Sequence, residues 1–319
     1  MELQFRSVLQ LLEYFNCNAV CIRHLEAQRW GGNPVCPHCG SVKKHYVIEY
    51  GTRYKCAERE CGKKFTVLVG TIFENTKLEL RYWFAAIYLV ANHKKGISSH
   101  QLSRDLGITQ KTAWFVLQRV REMLREEGKL ILSNTVEADE TWIGGKAKNK
   151  HGYNSHKDDK GDVSKVYTGS KKEDKKQPIA GVVERDGKVI LKVVPNVGKK
   201  ELTGFIKDHV STKAMLYTDE HGGYTKLPQE GYNHETVNHT QGKYVIGDIH
   251  TNTIEGFWSQ MKRGIYGVYH HVSVKHLNSY CNEFSYKWNT RTISDQDRFN
   301  GILKHTNYRV RWNDLVGRG

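Results

Sequence analysis

Two closely spaced cysteine pairs restrict what the N-terminal part of the chain can fold into. Cys36 and Cys39 enclose two residues in CPHCG, and Cys56 and Cys61 enclose four residues in CAERECG. Thiolates on two such turns can surround one Zn²⁺ tetrahedrally, and the alternating sequence between the pairs suits a short hairpin. Unrelated buried cysteines would not need the proline and glycines that flank both pairs. The pattern therefore predicts a zinc ribbon that holds one structural zinc ion.

The segment HKKGISSHQLSRDLGITQKTAW has the spacing of a helix-turn-helix. Ser98 or Ser99 can cap a first helix, Gly107 supplies the left-handed turn after it, and a threonine at position 109 can cap a second helix. The exposed side of the second helix could then meet bases and phosphates in a major groove. The side chains predicted to make these contacts are Gln110, Lys111, Thr112, Gln118 and Arg119. The alternative is a structural helical unit that does not bind DNA.

The charge balance favours a nucleic-acid partner. The chain carries 49 Lys and Arg against 34 Asp and Glu, a formal net charge of +15. Such an excess is typical of proteins that bind acidic polymers, most simply double-stranded DNA. No stretch approaches the roughly 18 apolar residues of a membrane helix, and the polar start MELQFRSVLQ does not resemble a secretory signal. We therefore expect a DNA-binding protein of the cytoplasm, nucleoid-associated in a prokaryote, with no membrane partner.

After residue 128 the hydrophobic period changes from helical to strand-like. Four strand patterns and three helical patterns follow in an order that predicts a mixed α/β domain. The strands are predicted at 134–145, 178–187, 188–196 and 213–224, and the helices at 199–210, 252–263 and 274–290. Between the first two strands, the Lys-rich segment 146–177 has almost no aliphatic side chains. Its composition predicts a solvated, mobile loop, and the alternative is a flap whose lysines close over the phosphates of bound DNA.

Three carboxylates lie within these elements. Strand alternation in TVEADETWIGG places Asp139 on one face together with Glu137. Asp219 ends an apolar strand just before a His-Gly-Gly turn, where side chains usually face a cleft. Glu255 opens the helical pattern of HTNTIEGFWSQMKRGIYG, and Lys262, seven residues later, lies on the same helix face. Carboxylates and a cation in this arrangement are suited to bind a divalent metal and then a DNA phosphate.

Glu255 also has a simpler interpretation as part of a helix cap. Asn252 followed three residues later by Glu255 fits a capping box, in which the glutamate binds the start of the helix. The two strand carboxylates favour a catalytic role, and one side chain can serve both purposes. The sequence leaves open whether Glu255 or Asn252 fills the third catalytic position.

Taken in order, the cysteine pairs and four further segments resemble insertion-sequence transposases of the DDE type, in the group related to Merlin elements. The segments are GTIFENTKLELRYWFAAIYL, GISSHQLSRDLGITQKTAW, VEADETWIGGK and HTNTIEGFWSQMKRGIYG. The resemblance extends over nearly the entire chain. It implies N-terminal helices with a zinc ribbon at 1–70, a helix-turn-helix DNA-binding region at 71–130, and an RNase H-like catalytic domain at 131–310.

The resemblance also implies roles for individual residues. The first and second acids of the family motif fall on Asp139 and Asp219. The third acid falls on Glu255, and the basic residue that follows it falls on Lys262. Two Mg²⁺ or Mn²⁺ ions would be held by the three carboxylates, in addition to the structural zinc. The implied activity is cleavage at the ends of an insertion sequence and strand transfer to target DNA, by a homo-oligomer because two ends must be joined.

Two other functions stay open at the level of the sequence. One is a DNA-binding regulator with the same zinc ribbon and helix-turn-helix but without catalysis. The other is a nuclease of the same fold that cuts DNA without joining strands. Binding in the absence of Mg²⁺, nicking and strand transfer are the activities that separate these possibilities.

Overall fold

The chain forms two compact units, and we describe each by itself. The computed structural model describes residues 5–49, 53–126, 128–144, 153–157, 163–167, 176–237, 250–307 and 309–317. Unit 1 comprises Met1–Glu126 and Thr290–Gly319, and unit 2 comprises Glu127–Asn289. The catalytic region predicted from sequence extends to residue 310, whereas residues 290–310 belong to unit 1.

Unit 1 begins with two helices and a small sheet. Helix α1 spans Val8–Tyr14 and α2 spans Asn18–Trp30, so the helical pattern of residues 5–30 is interrupted between them. Three short antiparallel strands follow in the order β1-β2-β3, namely β1 (Tyr46–Ile48), β2 (Arg53–Lys55) and β3 (Lys64–Phe65). The pairing of β1 with β2 confirms the hairpin predicted between the cysteine pairs.

Three helices complete the N-terminal part of unit 1: α3 (Leu80–Asn92), α4 (Ser99–Leu106) and α5 (Gln110–Met123). The Ser98 hydroxyl accepts a hydrogen bond from the backbone of α4, and Gly107 ends this helix with φ 64°. The Thr109 hydroxyl caps α5 in the same way. These residues confirm the predicted helix-turn-helix spacing, because each cap satisfies backbone groups that a helix end leaves unpaired.

Unit 2 is built on a five-stranded mixed sheet. In chain order its elements are β4 (Thr135–Ile143), β5 (Tyr153–Lys157), β6 (Val163–Tyr167), β7 (Gln177–Glu184), β8 (Val189–Val193), α6 (Lys199–His209), β9 (Met215–Asp219), β10 (Asn233–Val237), α7 (Asn252–Gly264) and α8 (Leu277–Asn289). The sheet order is β10-β9-β4-β7-β8. β4, β7 and β8 form an antiparallel meander, and β9 and β10 continue the sheet parallel to β4. This is the order of an RNase H-like fold.

Helices cover both faces of this sheet. On one face Leu202 and Phe205 of α6 pack against buried side chains of β4, β7 and β9. On the other face Phe257 of α7 and Phe284 of α8 pack against β7 and β8. Because each strand alternates its side chains between the two cores, the sheet is buried between helical layers and the mixed α/β class is confirmed.

Part of the Lys-rich segment 146–177 is strand and not loop. β5 and β6 pair antiparallel, with Tyr153 opposite Tyr167 and Lys157 opposite Val163. The β-branched and aromatic residues of these strands favour extended backbone despite the surrounding lysines. The rest of the predicted loop, up to residue 175, lies outside the described residues. Within the described ranges, no helix has both the length and the apolar character needed to cross a membrane.

Two C-terminal helices return to unit 1: α9 (Asp295–Lys304) and α10 (Trp312–Val316). Phe299 of α9 is fully buried. Its ring centroid lies 5.4 Å from those of Phe5 and Phe84 and 5.9 Å from that of Phe15. The aromatic core of unit 1 is therefore built from both ends of the chain.

Candidate active site and metal centre

The four cysteines of the ribbon meet at one point. Sγ of Cys36 lies 3.8 Å from Sγ of Cys61, and Sγ of Cys39 lies 3.6 Å from Sγ of Cys56. Zn–S bonds of about 2.3 Å in a tetrahedron separate two sulfurs by about 3.8 Å, so this spacing fits one Zn²⁺. Among the described residues, this is the one group of at least three metal-ligating side chains whose ligand atoms all lie within 4.8 Å of one another.

Replacing Cys39 with serine should remove the zinc and unfold the ribbon together, because structural zinc contributes folding free energy directly. Metal analysis of the purified protein should find about one zinc per chain in the wild type and almost none in the variant. Cys17→Ser is the matched control, since Cys17 is exposed and precedes α2, where serine is a favourable cap. A folded wild-type ribbon without zinc would contradict the assignment.

Three of the five predicted DNA contacts lie at the start of α5. Gln110 and Lys111 are exposed, and Thr112 is partly exposed. Nε2 of Gln110 donates a hydrogen bond to Oγ of Ser99 at 2.8 Å. Nζ of Lys111 lies 4.8 Å from the ring centroid of Trp312 in α10. Neighbours within unit 1 therefore orient these side chains, and their contact with DNA stays a prediction.

The prediction that Gln118 is exposed is wrong, and Arg119 is only partly exposed. Gln118 is 1% exposed. Arg119 donates hydrogen bonds to the carbonyl oxygens of Val310, at 3.1 Å, and of Ile72, and its guanidinium carbon lies 4.3 Å from the centroid of Phe115. Burial lowers the pKa of Arg119 to about 10. Contacts with chain segments far away in the sequence bury this part of α5, and helical periodicity cannot reveal them.

Two carboxylates lie at matching positions on neighbouring strands of unit 2. Val136 and Ala138 of β4 point into the core beneath α6, so Asp139 points to the opposite face, as predicted from alternation. β9 runs parallel to β4 with Thr218 opposite Ala138. Asp219 therefore follows at the position that matches Asp139, and parallel pairing directs both side chains to one face of the sheet.

An open cleft of about 770 Å³ lies beside these strands. Its lining side chains include Asp139, Glu255, Trp258, Lys262, Arg263 and Tyr266. The last five follow one face of α7 and the turn after it, at the spacing that helical geometry requires. The structure therefore brings together Asp139, Glu255 and Lys262, as the sequence suggests.

Asp139 is held in place by a tryptophan. Nε1 of Trp258 donates a hydrogen bond to Oδ2 of Asp139 at 3.0 Å. The indole lies against Gly181, where a Cβ atom would come within 2.6 Å of the ring. Burial raises the pKa of Asp139 to about 7, and the charges of Glu140 and Asp219 add to the rise. A bound cation would counter both effects, because it favours the ionised carboxylate.

A second set of polar contacts surrounds Asp219. Its Oδ1 accepts a hydrogen bond from the backbone nitrogen of His221 at 3.1 Å. Glu140 accepts a hydrogen bond from the Tyr224 hydroxyl at 2.8 Å, and its Oε1 lies 3.6 Å from Nδ1 of His221. Burial raises the pKa of Glu140. These contacts order the turn that follows Asp219, the last residue of β9.

The carboxylates of Asp139, Asp219 and Glu255 are not drawn together as closely as the four cysteines in the described part of the chain. Their chemistry nevertheless fits Mg²⁺ or Mn²⁺, which bind oxygen ligands and keep several water molecules as further ligands. A cation held there would favour the ionised form of Asp139, whose pKa is raised first by burial and then by the charges of Glu140 and Asp219.

The capping box predicted for Asn252 and Glu255 is wrong. Helix α7 starts at Asn252, which is exposed in the first turn, and the residue at the cap position is Thr251. The Thr251 hydroxyl donates a hydrogen bond to Oε1 of Glu255 at 2.9 Å. The backbone amides of Thr253 and Ile254 bind a side chain from another strand instead. A local sequence motif cannot show such a tertiary partner.

Three residues near the acids are absent from the sequence-based site. Trp258 could have been included, since it lies three residues after Glu255 on the same helix face. Arg263 follows the predicted Lys262 and also lines the cleft. Nothing in the sequence indicated that Glu140 lies near the site, because strand alternation places it on the face opposite to Asp139.

Comparisons with known proteins agree with this architecture. Residues 131–289 match the family model of the ISXO2-like transposase domain, and residues 16–64 match that of the transposase zinc-ribbon domain. The chain is 29% identical over 270 residues to the uncharacterized protein in transposable element ISH50 of Halobacterium salinarum. The aligned region covers 80% of this chain and 85% of that protein. No solved structure matches the chain.

The transposase model spans most of unit 2, and the zinc-ribbon model lies within unit 1. The zinc-ribbon model contains all four clustered cysteines, and the transposase model contains Asp139, Asp219 and Glu255. Both models describe domains of one kind of transposase, and the similar Halobacterium protein comes from a transposable element. The chain therefore belongs to the ISXO2-like family of DDE transposases.

Proposed function

We propose that the protein binds the ends of an insertion sequence, cuts the DNA there and joins the freed 3′ ends to target DNA. The observation that carries the proposal is the position of Asp139 and Asp219 at matching places on adjacent parallel strands, together with a cleft that Asp139, Glu255 and Lys262 line. Acids from separate elements beside an open cleft that also holds Lys262 and Arg263 are suited to phosphodiester chemistry. The family of the chain supports the same reaction.

The side chains at and beside the cleft have different proposed roles. Asp139, Asp219 and Glu255 would hold two Mg²⁺ or Mn²⁺ ions, which when bound activate a water or 3′-hydroxyl oxygen and stabilise the leaving oxygen. Trp258 fixes the orientation of Asp139 through its hydrogen bond. Lys262, near the end of α7, would attract the phosphate between the metal site and the helix.

Neither the cleavage step nor the joining step requires a high-energy cofactor. In the cleavage step, water forms a bond to phosphorus and the 3′-oxygen of the element leaves. In the joining step, that 3′-hydroxyl forms a bond to a target phosphorus while one P–O bond of the target breaks. One phosphodiester replaces another in the second step, so the protein needs to bind and orient two DNA molecules but not to supply energy.

The helix-turn-helix of unit 1 is the proposed binding site for the element ends. The exposure of Gln110 and Lys111 and the partial exposure of Thr112 at the start of α5 support this site, since residues at the start of a recognition helix contact base edges. The net charge of +15 supports double-stranded DNA as the partner. Because two ends must be brought together, we also propose that the protein acts as a homo-oligomer.

A strand-transfer assay tests the proposal. The purified protein is incubated with a labelled element end, taken from the DNA that flanks the gene, and with a plasmid target in Mg²⁺ or in EDTA. We expect labelled plasmid in Mg²⁺ only. Nicked ends without joined product would favour the nuclease, and metal-independent binding without nicking would favour the regulator.

Replacing Glu255 with glutamine should preserve the fold and lower cleavage by about 100-fold or more. The amide oxygen can still accept the hydrogen bond of Thr251, so the free energy of unfolding should change by less than about 1 kcal/mol. The charge that holds the metal is lost, and even residues that only support metal ligands cost about 10- to 100-fold when replaced. Thermal unfolding and single-turnover cleavage measure the two effects.

Asn252→Ala is the matched control for this experiment. Asn252 is exposed in the first turn of α7, so its replacement should leave cleavage close to wild type. If Glu255→Gln cleaves at the wild-type rate while Asn252→Ala is inactive, the third catalytic position belongs to Asn252.

A further inference from the structure

Glu137 is a fully buried carboxylate that lies two residues before Asp139 on β4. Its Oε2 accepts hydrogen bonds from the backbone nitrogens of Thr253, at 2.8 Å, and Ile254, at 3.0 Å. Its Oε1 accepts one from the Thr253 hydroxyl at 2.9 Å. The start of helix α7 is therefore bound to the central strand of the sheet by three hydrogen bonds to one side chain.

The guanidinium of Arg185 balances the charge of this carboxylate, and His250 lies beside it. Nε of Arg185 lies 2.8 Å from Oε1 of Glu137, and Nδ1 of His250 lies 3.3 Å from the same oxygen. A further nitrogen of Arg185 donates to the carbonyl oxygen of His250 at 3.0 Å, and its guanidinium carbon lies 4.9 Å from the centroid of Tyr217. A buried charge is tolerated only when it is paired and hydrogen-bonded in this way.

Glu137 replaces the cap that α7 lacks. The first backbone N–H groups of a helix have no partner within the helix, and a side chain at the cap position usually binds one of them. Thr251 occupies that position but accepts no hydrogen bond from these amides, and its hydroxyl donates to Glu255. A carboxylate placed at these amides also interacts favourably with the positive end of the helix dipole.

We propose that Glu137 is a positioning residue that sets the place of Glu255 relative to Asp139, an inference that rests on the proposed function. Glu255 follows directly after Ile254, whose amide Glu137 binds. Asp139 lies on the same face of β4 as Glu137, two positions along the strand. One strand thus carries the first acid and fixes the helix that carries the third.

Three measurements on Glu137→Gln test this inference. Hydrogen exchange at the amides of Thr253 and Ile254 should become about 10-fold faster or more, because a hydrogen bond to a charged acceptor is stronger than one to a neutral amide. Binding of Mn²⁺ to the protein, followed by electron paramagnetic resonance, should weaken about 10-fold or more. The Mg²⁺ concentration for half-maximal cleavage should rise with it.

Glu184→Gln is the matched control, since Glu184 is a carboxylate of the same sheet that accepts hydrogen bonds from the backbone nitrogens of Ser133 and Asn134. It should leave exchange in α7 and Mn²⁺ binding unchanged, whatever it does to overall stability. Thr253→Val, which removes only the hydroxyl bond to Glu137, should change both in the direction of Glu137→Gln but less, and it decides the matter if Glu137→Gln does not fold.

The outcomes separate this inference from the proposed function. Wild-type exchange in α7 or wild-type Mn²⁺ affinity in the folded variant would overturn the role of Glu137, even if the wild-type protein cuts and joins DNA. A wild-type protein that binds Mn²⁺ but never cuts would overturn the proposed function, while exchange and Mn²⁺ affinity would still decide what Glu137 does.

Discussion

Asp139→Asn should abolish DNA cleavage and strand transfer, with single-turnover rates lowered by about 1000-fold or more. A ligand of a catalytic metal contributes several kcal/mol to the stabilisation of the transition state, and 1.36 kcal/mol corresponds to a tenfold change in rate. The amide keeps the shape of the side chain and can still accept the hydrogen bond of Trp258. The loss should therefore come from the missing charge and not from a displaced tryptophan.

The folded state should tolerate this change. Burial and the neighbouring charges of Glu140 and Asp219 raise the pKa of Asp139, so the ionised carboxylate is unfavourable in the metal-free protein. We expect the melting temperature of Asp139→Asn in metal-free buffer at pH 8 to equal or exceed that of the wild type. A marked fall in melting temperature would mean that lost structure, and not lost chemistry, explains the inactivity.

Asp186→Asn is the matched control for Asp139→Asn. Asp186 is exposed in the turn between β7 and β8 and has φ 58°, a backbone conformation that asparagine adopts readily. Its cleavage rate should match the wild type. Residual cleavage by Asp139→Asn near the wild-type rate would exclude Asp139 from the catalytic set.

Phe299→Ala should destabilise unit 1 by about 3–5 kcal/mol, which is the usual cost of deleting a buried phenylalanine. The ring is fully buried among Phe5, Phe15 and Phe84. Its removal leaves a cavity, and these three rings lose their contacts with it. Equilibrium unfolding in urea should show an earlier transition for unit 1. Binding of element ends should weaken at temperatures where this unit is partly unfolded.

Ile293→Ala provides the comparison within the same C-terminal segment. Ile293 is 43% exposed, so its replacement should change the free energy of unfolding by less than about 0.5 kcal/mol. A loss below about 1 kcal/mol for Phe299→Ala would mean that α9 contributes little to the core of unit 1.

The sequence predicted the features that depend on spacing along the chain. The cysteine pairs predicted the sulfur cluster, because two turns joined by a hairpin leave few other arrangements. Alternation in β4 predicted the face of Asp139, and the seven-residue separation from Glu255 placed Lys262 in the same cleft. The helix-turn-helix was predicted from Gly107 and its neighbouring caps.

Features that depend on distant contacts were not predictable in this way. Gln118 and Arg119 have the polarity of surface residues, but Val310 and Ile72 show that other segments cover this part of α5. The role of Glu137 arises only when β4 and α7 meet, since more than a hundred residues separate the carboxylate from the amides that it binds. Propensity and local motifs carry no information about such pairings.

The contribution of Phe299 to the core of unit 1 also governs the order in which the protein becomes functional during its synthesis. Domains generally fold as they leave the ribosome, N-terminal parts first. The N-terminal helices emerge early, but their aromatic core lacks the Phe299 ring until the whole of unit 2 has been made. Under the proposed function, a prematurely terminated chain would lack a stable end-binding unit and could not occupy element ends in competition with the complete enzyme.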